Sequence, residues 1–185
     1  MGRGFSNVQS AMLPYPGITE ATCERLIVVD LQNQFVKPHT ERLVDGIQAI
    51  LPFFKKIVIS QIDHDPGELL YELKKWTPAP FGSRGHASAL EIEKTLQDRV
   101  LFVRKHFYSA FTPEAAEFLG ARPSDPVHIC GMDTDICVLQ TGVELLKAGL
   151  RPVVLSKLCG SYAGEDQHRH ALIQCKRFFG REQVV

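Results

Sequence analysis

Arg25-Leu26-Ile27-Val28-Val29-Asp30 decides the architecture. An unbroken apolar run rich in β-branched residues and closed by an acid describes a strand buried on both faces, which delivers its last side chain to the C-terminal edge of a parallel sheet. Similar runs recur at Lys56-Ile57-Val58-Ile59-Ser60, Val100-Leu101-Phe102-Val103, Val127-His128-Ile129-Cys130 and Pro152-Val153-Val154-Leu155, and Gln183-Val184-Val185 is expected as a sixth. Between them the period changes to that of helices. Leu43, Ile47, Ile50 and Phe54 share one helical face. Thr112-Pro113-Glu114 supplies an N-cap and a first-turn proline. Thr134 to Ala148 is expected as a helix capped by Thr134, with Leu139, Val143, Leu146 and Leu150 inward and Gly149 as its stop. A last helix is expected from Glu165 to Phe179, ended by Gly180. Strands alternating with helices predict an α/β fold: a three-layer, doubly wound, mostly parallel sheet of about six strands with helices on both faces, Rossmann-like, its site beyond the carboxyl ends of the strands.

The chain has 185 residues, 44% of them hydrophobic, enough for one continuous core. Residues 1–24 hold Gly2, Gly4, Pro14, Pro16 and Gly17 without an apolar run and read as a loose N-terminal arm before a single domain over 25–185. Lysine plus arginine and aspartate plus glutamate balance at 21 each, which gives no summed field for nucleic acid or an anionic membrane. No stretch is apolar enough to span a bilayer, so a cytoplasmic protein is expected. Its five cysteines, an odd number without a C-x-x-C pair, are expected as reduced thiols. Residues 61–88, dense in Pro, Gly and aromatics, are expected to cap the site.

Asp30, Lys105 and Cys137 each fall at or just past the end of a strand run, so the topology brings them to one edge. Taken singly, each has an ordinary reading: a loop cap, a solvated charge and a small buried hydrophobe. Cys137 follows Thr134 by three residues, which places it in a first helical turn. There the amides and the positive end of the dipole are expected to lower its pKa and to hold an oxyanion. A carboxylate that takes and returns a proton, and an ammonium that stabilises anions, complete what a cysteine nucleophile needs.

Three stretches in this order and spacing resemble the isochorismatase-like cysteine hydrolases, the superfamily of nicotinamidases, N-carbamoylsarcosine amidohydrolases and ureidoacrylate amidohydrolases. They are Val28-Val29-Asp30-Leu31-Gln32-Asn33-Gln34-Phe35, Lys105-His106-Phe107-Tyr108-Ser109-Ala110-Phe111, and Gly131-Met132-Asp133-Thr134-Asp135-Ile136-Cys137-Val138 with Thr141 beyond. The resemblance implies a catalytic triad of Asp30, Lys105 and Cys137, hydrolysis of an amide, ureido or carbamoyl C–N bond through a thioester, and an oxyanion hole from the backbone amides of Asp133 and Cys137 beside a cis Met132–Asp133 peptide. It further implies a small-molecule substrate, no cofactor and a homo-oligomer. Phe35 matches a position beside the substrate, and Gln61, at the end of the second run, is the other substrate-binding candidate.

Departures narrow this reading. Nicotinamidases carry a metal-binding Asp-x-His after the second strand, and Ile62 stands where that aspartate should be, so neither a metal nor nicotinamide is expected. The competing reading is a shifted metal site of Asp63, His64 and His86. Isochorismatases proper cleave a vinyl ether and need not keep the cysteine, so Cys137 favours the amidase branch over an ether hydrolase; a non-catalytic scaffold of the same fold is the alternative from another class. An aspartyl nucleophile at Asp30 would want a second acid where Gln32 stands. His106 is expected to point away from Lys105, Cys130 to lie in the core, His168 and His170 to be solvated or capping, and Trp76 and Phe81 to pack beneath the cap.

Overall fold

The structure, a computed structural model, describes residues 23–63, 67–76 and 78–185, with only the backbone of Tyr71. Most of the expected N-terminal arm and His64 lie outside the described residues. Cys23 and Glu24 are already part of the fold, their carbonyls accepting the amides of Lys55 and Lys56.

Five parallel strands form one sheet: β1 (Arg25–Val29), β2 (Lys56–Ile62), β3 (Val100–Lys105), β4 (Pro126–Met132) and β5 (Arg151–Gly160), in the order β3-β2-β1-β4-β5. The chain walks outward from β1 to β3 and then returns to the other side of β1 at β4. Right-handed crossovers therefore place the helices before and after that return on opposite faces, with the crevice between β1 and β4 at the switch point. The expected sixth strand is absent: a short 3₁₀ turn over Arg181–Gln183 consumes the tail, leaving one bridge between Val184 and Val154.

Among the described residues five α-helices accompany this sheet. The first, α1 (Arg42–Ile50), buries Leu43, Ile47 and Ile50; Pro52 then tightens the chain into a 3₁₀ turn that also buries Phe54. Residues 61–88 carry a short helix, α2 (Leu69–Lys74), whose weak periodicity gave no sign of it. Thr112 Oγ1 accepts the amide of Ala115 to start α3 (Pro113–Leu119), and Gly120 at φ 55° ends it. The remaining two are α4 (Leu139–Lys147) and α5 (Glu165–Phe179), the latter ended by Gly180 at φ 96°.

The segment before α4 corrects the sequence reading. Thr134–Val138 is a π turn entered from Asp133, and Thr134 is no cap: it is buried, its hydroxyl bonded to His168 Nδ1 at 2.8 Å. The wider turn advances the helix by about one residue. Thr141, Gly142 and Leu145 thus face inward, and Leu146 is exposed. His168 is accordingly buried rather than solvated, and burial lowers its pKa despite the opposing charge of Glu165.

Candidate active site

The site is built where β1 ends. Asp30 takes φ 46°, a left-handed conformation uncommon for a residue with a side chain, and turns the chain sharply so that its carboxylate stays over the sheet edge. The Ser60 hydroxyl, one strand away on β2, donates to Asp30 Oδ1 at 2.7 Å and accepts the Asp30 amide at 3.2 Å. Lys105, level with Ile62 in the sheet register, sends its stem across the end of β2, and its ammonium lies 2.8 Å from Asp30 Oδ2. The other two ammonium donors go to the carbonyls of Phe107 (2.9 Å) and Tyr108 (2.8 Å). Two carbonyls and a paired carboxylate thus surround the buried cation, the condition under which burying one is tolerable. Burial alone would lower the Lys105 pKa, but Asp30 and Cys137 outweigh it and the net direction is up.

Cys137 completes the group. It is 6% exposed in the π turn, and its thiol interacts with both Asp30 and Lys105. Its pKa is raised, first by burial and then by the negative charge of Asp30, with Lys105 opposing. This reverses the direction expected from the helix dipole alone: the resting group is a thiol. Asp30 Oδ2 has no aligned hydrogen-bond donor among the described residues, so one buried acceptor position of the carboxylate stands open. Thr141 Oγ1 donates to the Cys137 carbonyl at 2.6 Å and accepts the Ala110 amide at 2.9 Å, which ties the turn of Cys137 to the loop whose carbonyls hold Lys105. Ser60 did not stand out in the sequence, and Thr141 entered only through the resemblance. A hydroxyl one strand over or one turn on leaves no periodic signal.

Above these groups lies a cavity of about 380 Å³. Phe35, Ile62, Trp76, Tyr108, Met132, Ile136 and Tyr162 supply apolar walls, and Lys74, Asp133 and Asp135 supply charge. The Phe35 ring lies 5.7 Å from Trp76 and meets Tyr162 edge-on at 6.3 Å. The Met132–Asp133 peptide is cis. Residues 61–88 thus contribute Ile62, Lys74 and Trp76 to the walls. Gln61, expected beside the substrate, is not among the lining residues: its amide donates to the His86 carbonyl at 3.1 Å. Phe81 is likewise outside, 62% exposed, with the Arg104 guanidinium stacked 3.8 Å from its ring. His106 points away and pairs with Glu68 at 3.0 Å, and Cys130 is in the core.

Two members of the shifted metal set, Asp63 and His86, are described. Arg104, unremarked in the sequence, donates to Asp63 Oδ2 through Nε (3.0 Å) and Nη2, while His86 Nε2 stands 3.9 Å from Asp63 Oδ1. His64 lies outside the described residues, and among those described no group of three or more His, Cys, Asp or Glu side chains could hold a metal ion. Nor is any described helix long and apolar enough to cross a membrane.

A β1–β4 switch point with a buried acid, ammonium and thiol beneath an apolar cavity defines a class of small α/β hydrolases. The chain belongs to the isochorismatase family: the family's domain model, "Isochorismatase domain", matches residues 24–181. It is 29% identical over 183 residues to a nicotinamidase from Acinetobacter baylyi, covering 79% of this chain and 85% of that one. The fold is similar to that of an isochorismatase-like hydrolase from Alkaliphilus metalliredigens (TM-score 0.71, 19% identity, 87% of this chain and 93% of that one). It is also similar to an N-carbamoylsarcosine amidase from Thermoplasma acidophilum (TM-score 0.68, 20% identity, 85% and 92% coverage). The protein is a hydrolase of this family.

Proposed function

We propose that this hydrolase cleaves the C–N bond of a small amide, ureido or carbamoyl compound through a Cys137 thioester, with Asp30 as the base for sulfur and Lys105 as the cation that stabilises the anions formed. The carrying observation is the buried contact of these three groups at the foot of the cavity, with an open acceptor position on Asp30 Oδ2. Because the thiol rests protonated, attack requires its proton to leave as the S–C bond forms, and that acceptor is at hand. The tetrahedral oxyanion would be met by the backbone amides of Asp133 and Cys137, preorganised at the head of the turn. Collapse expels the amine, and water then resolves the thioester.

The apolar walls and the cavity volume suit a small flat acyl group. The relationship to a nicotinamidase supports an amide, while Ile62, standing where nicotinamidases carry a metal-binding aspartate, argues against nicotinamide itself as the substrate. The test is a panel of small amides and carbamoyl compounds turned over by the wild type, Cys137→Ser and Cys137→Ala, with intact-mass detection of an acyl adduct. Expected are turnover and an acyl adduct on Cys137 for the wild type and neither for the variants; full activity of Cys137→Ala overturns the reading.

A further inference from the structure

We propose that the Asp133 carboxyl is a second proton-transfer residue of this hydrolysis, giving a proton to the departing nitrogen and taking one from the water that resolves the thioester. The proposal rests on the Cys137 reading and adds what Asp30 alone does not supply. Asp30 Oδ1 is taken by the Ser60 hydroxyl, Oδ2 lies 2.8 Å from the Lys105 ammonium, and the carboxylate interacts with the thiol, so its one open position serves sulfur. Asp133 lines the cavity and is close enough to Cys137 for its charge to act on the thiol. The Tyr162 amide donates to its Oδ1 at 2.5 Å, which fixes the carboxyl at the cavity wall.

Burial raises the Asp133 pKa to about 6, with Asp135 and Asp30 adding and the Tyr162 amide and Lys74 opposing. Both protonation states are therefore populated near neutral pH, as an acid that becomes a base within one cycle requires. The groups facing it are Asp30 from the end of β1, with Lys105 behind it; Asp135 and Cys137 from the π turn; Lys74 from α2; and the Tyr162 amide after β5. His168 of α5 lies behind the turn, engaged with Thr134.

The protons balance over the two steps. In acylation the thiol proton passes to Asp30, the S–C bond forms, the C–N bond breaks, and the nitrogen leaves with the proton of Asp133. In deacylation water attacks the thioester and gives its proton to the Asp133 carboxylate, while the departing sulfur recovers its proton from Asp30.

This division of labour predicts a dependence on the leaving group that a structural role would not produce. An activated aryl ester needs no proton on its leaving group. Asp133→Asn should release the aryl alcohol in a burst at a rate near that of the wild type and then stall as the Cys137 thioester. Its kcat/KM for amides should fall by about 10²–10⁴-fold. The decline in amide kcat/KM expected of the wild type as pH rises through about 6 should vanish. Rapid-mixing burst kinetics, intact mass and pH profiles on the full chain read these outcomes. If loss of the burst and a changed melting curve show that Asp133→Asn does not fold, Asp133→Ala carries the same comparison. An ester burst slowed as much as amide turnover in a folded variant, or unchanged amide kcat/KM and pH profile, overturns the proposal. The Cys137 reading fails separately, if the wild type forms no adduct on that sulfur.

Discussion

Ser60 is where a single atom sets the chemistry. Its hydroxyl spans the Asp30 amide and Oδ1, so it fixes which carboxylate oxygen faces the thiol. Ser60→Ala should leave the protein folded, with a loss of about 1–3 kcal/mol because a buried amide and carboxylate oxygen lose their partner. It should lower kcat more than KM, because the base is misplaced while the cavity is intact; denaturant melts and steady-state kinetics check both. Lys105→Met is expected to be harsher. It leaves a buried carboxylate without its cation, at a cost of about 3–5 kcal/mol, and removes the charge that opposes the rise in the Cys137 pKa. The convergence of Asp30, Lys105 and Cys137 was legible because each ends a strand or opens a turn, and strand ends are periodic landmarks. It misled on the thiol, since a dipole is legible in the chain whereas burial beside a carboxylate exists only once the chain has folded. Ser60 closes an apolar run and reads there as punctuation.

At the scale of elements, the same division follows from the range of the interactions. The five strand runs, the Thr112 cap and the glycine stop of α5 are local, and they stand where the residues indicate. The π turn is not local: one extra residue over Thr134–Val138 is stabilised by Thr134 against His168 and by Thr141 between the Cys137 carbonyl and the Ala110 amide. Partners 31 and 34 residues apart in sequence leave no mark on a helical wheel, which is why the inward face of α4 is displaced from its expected position. Thr141→Val keeps the volume and removes the hydroxyl. It should cost about 1–3 kcal/mol and loosen the Phe107–Ala110 loop that holds Lys105, visible as faster hydrogen exchange of the Ala110 amide and reduced activity. Gly131 constrains the other end of the turn. At φ 107° a Cβ would lie 2.1 Å from the Val29 carbonyl oxygen of the adjacent strand, an approach only glycine permits. Gly131→Ala should part β1 from β4 at the switch point, lowering both the melting temperature and activity, whereas Gly149→Ala, with open space around it, should cost only the strain of its φ of 77°.

Across the whole molecule two buried groups pull stability in opposite directions over nearly the same pH range. His128 on β4, packed edge-on against Phe54, has its pKa lowered to about 4 by burial, against a hydrogen bond to the Arg25 backbone. The unfolded chain then binds more protons than the folded one between about 4 and 6.5, so this group's contribution is present above 6.5 and is lost as the pH falls toward 4. Asp133 works the other way. Its folded pKa of about 6 exceeds the unfolded 3.8, so its contribution is present below 3.8 and is lost as the pH rises through 6. Each swing is on the order of 3 kcal/mol. Where they overlap, from about 4 to 6, the slopes cancel and the wild type should hold a nearly constant stability. Removing one group exposes the other: Asp133→Asn should gain stability above pH 6 and fall steeply on acidification, while His128→Leu should resist acid and lose stability as the pH rises from 4 to 6. Urea melts at half-unit pH steps check the pair, and parallel curves for the wild type and both variants would show that neither ionisation is coupled to folding. Asp133 is thus a group the fold would hold more stably without its charge, set at the head of the turn that carries Cys137, and a cost of that kind beside the proposed nucleophile is what the proposed proton-transfer role would account for.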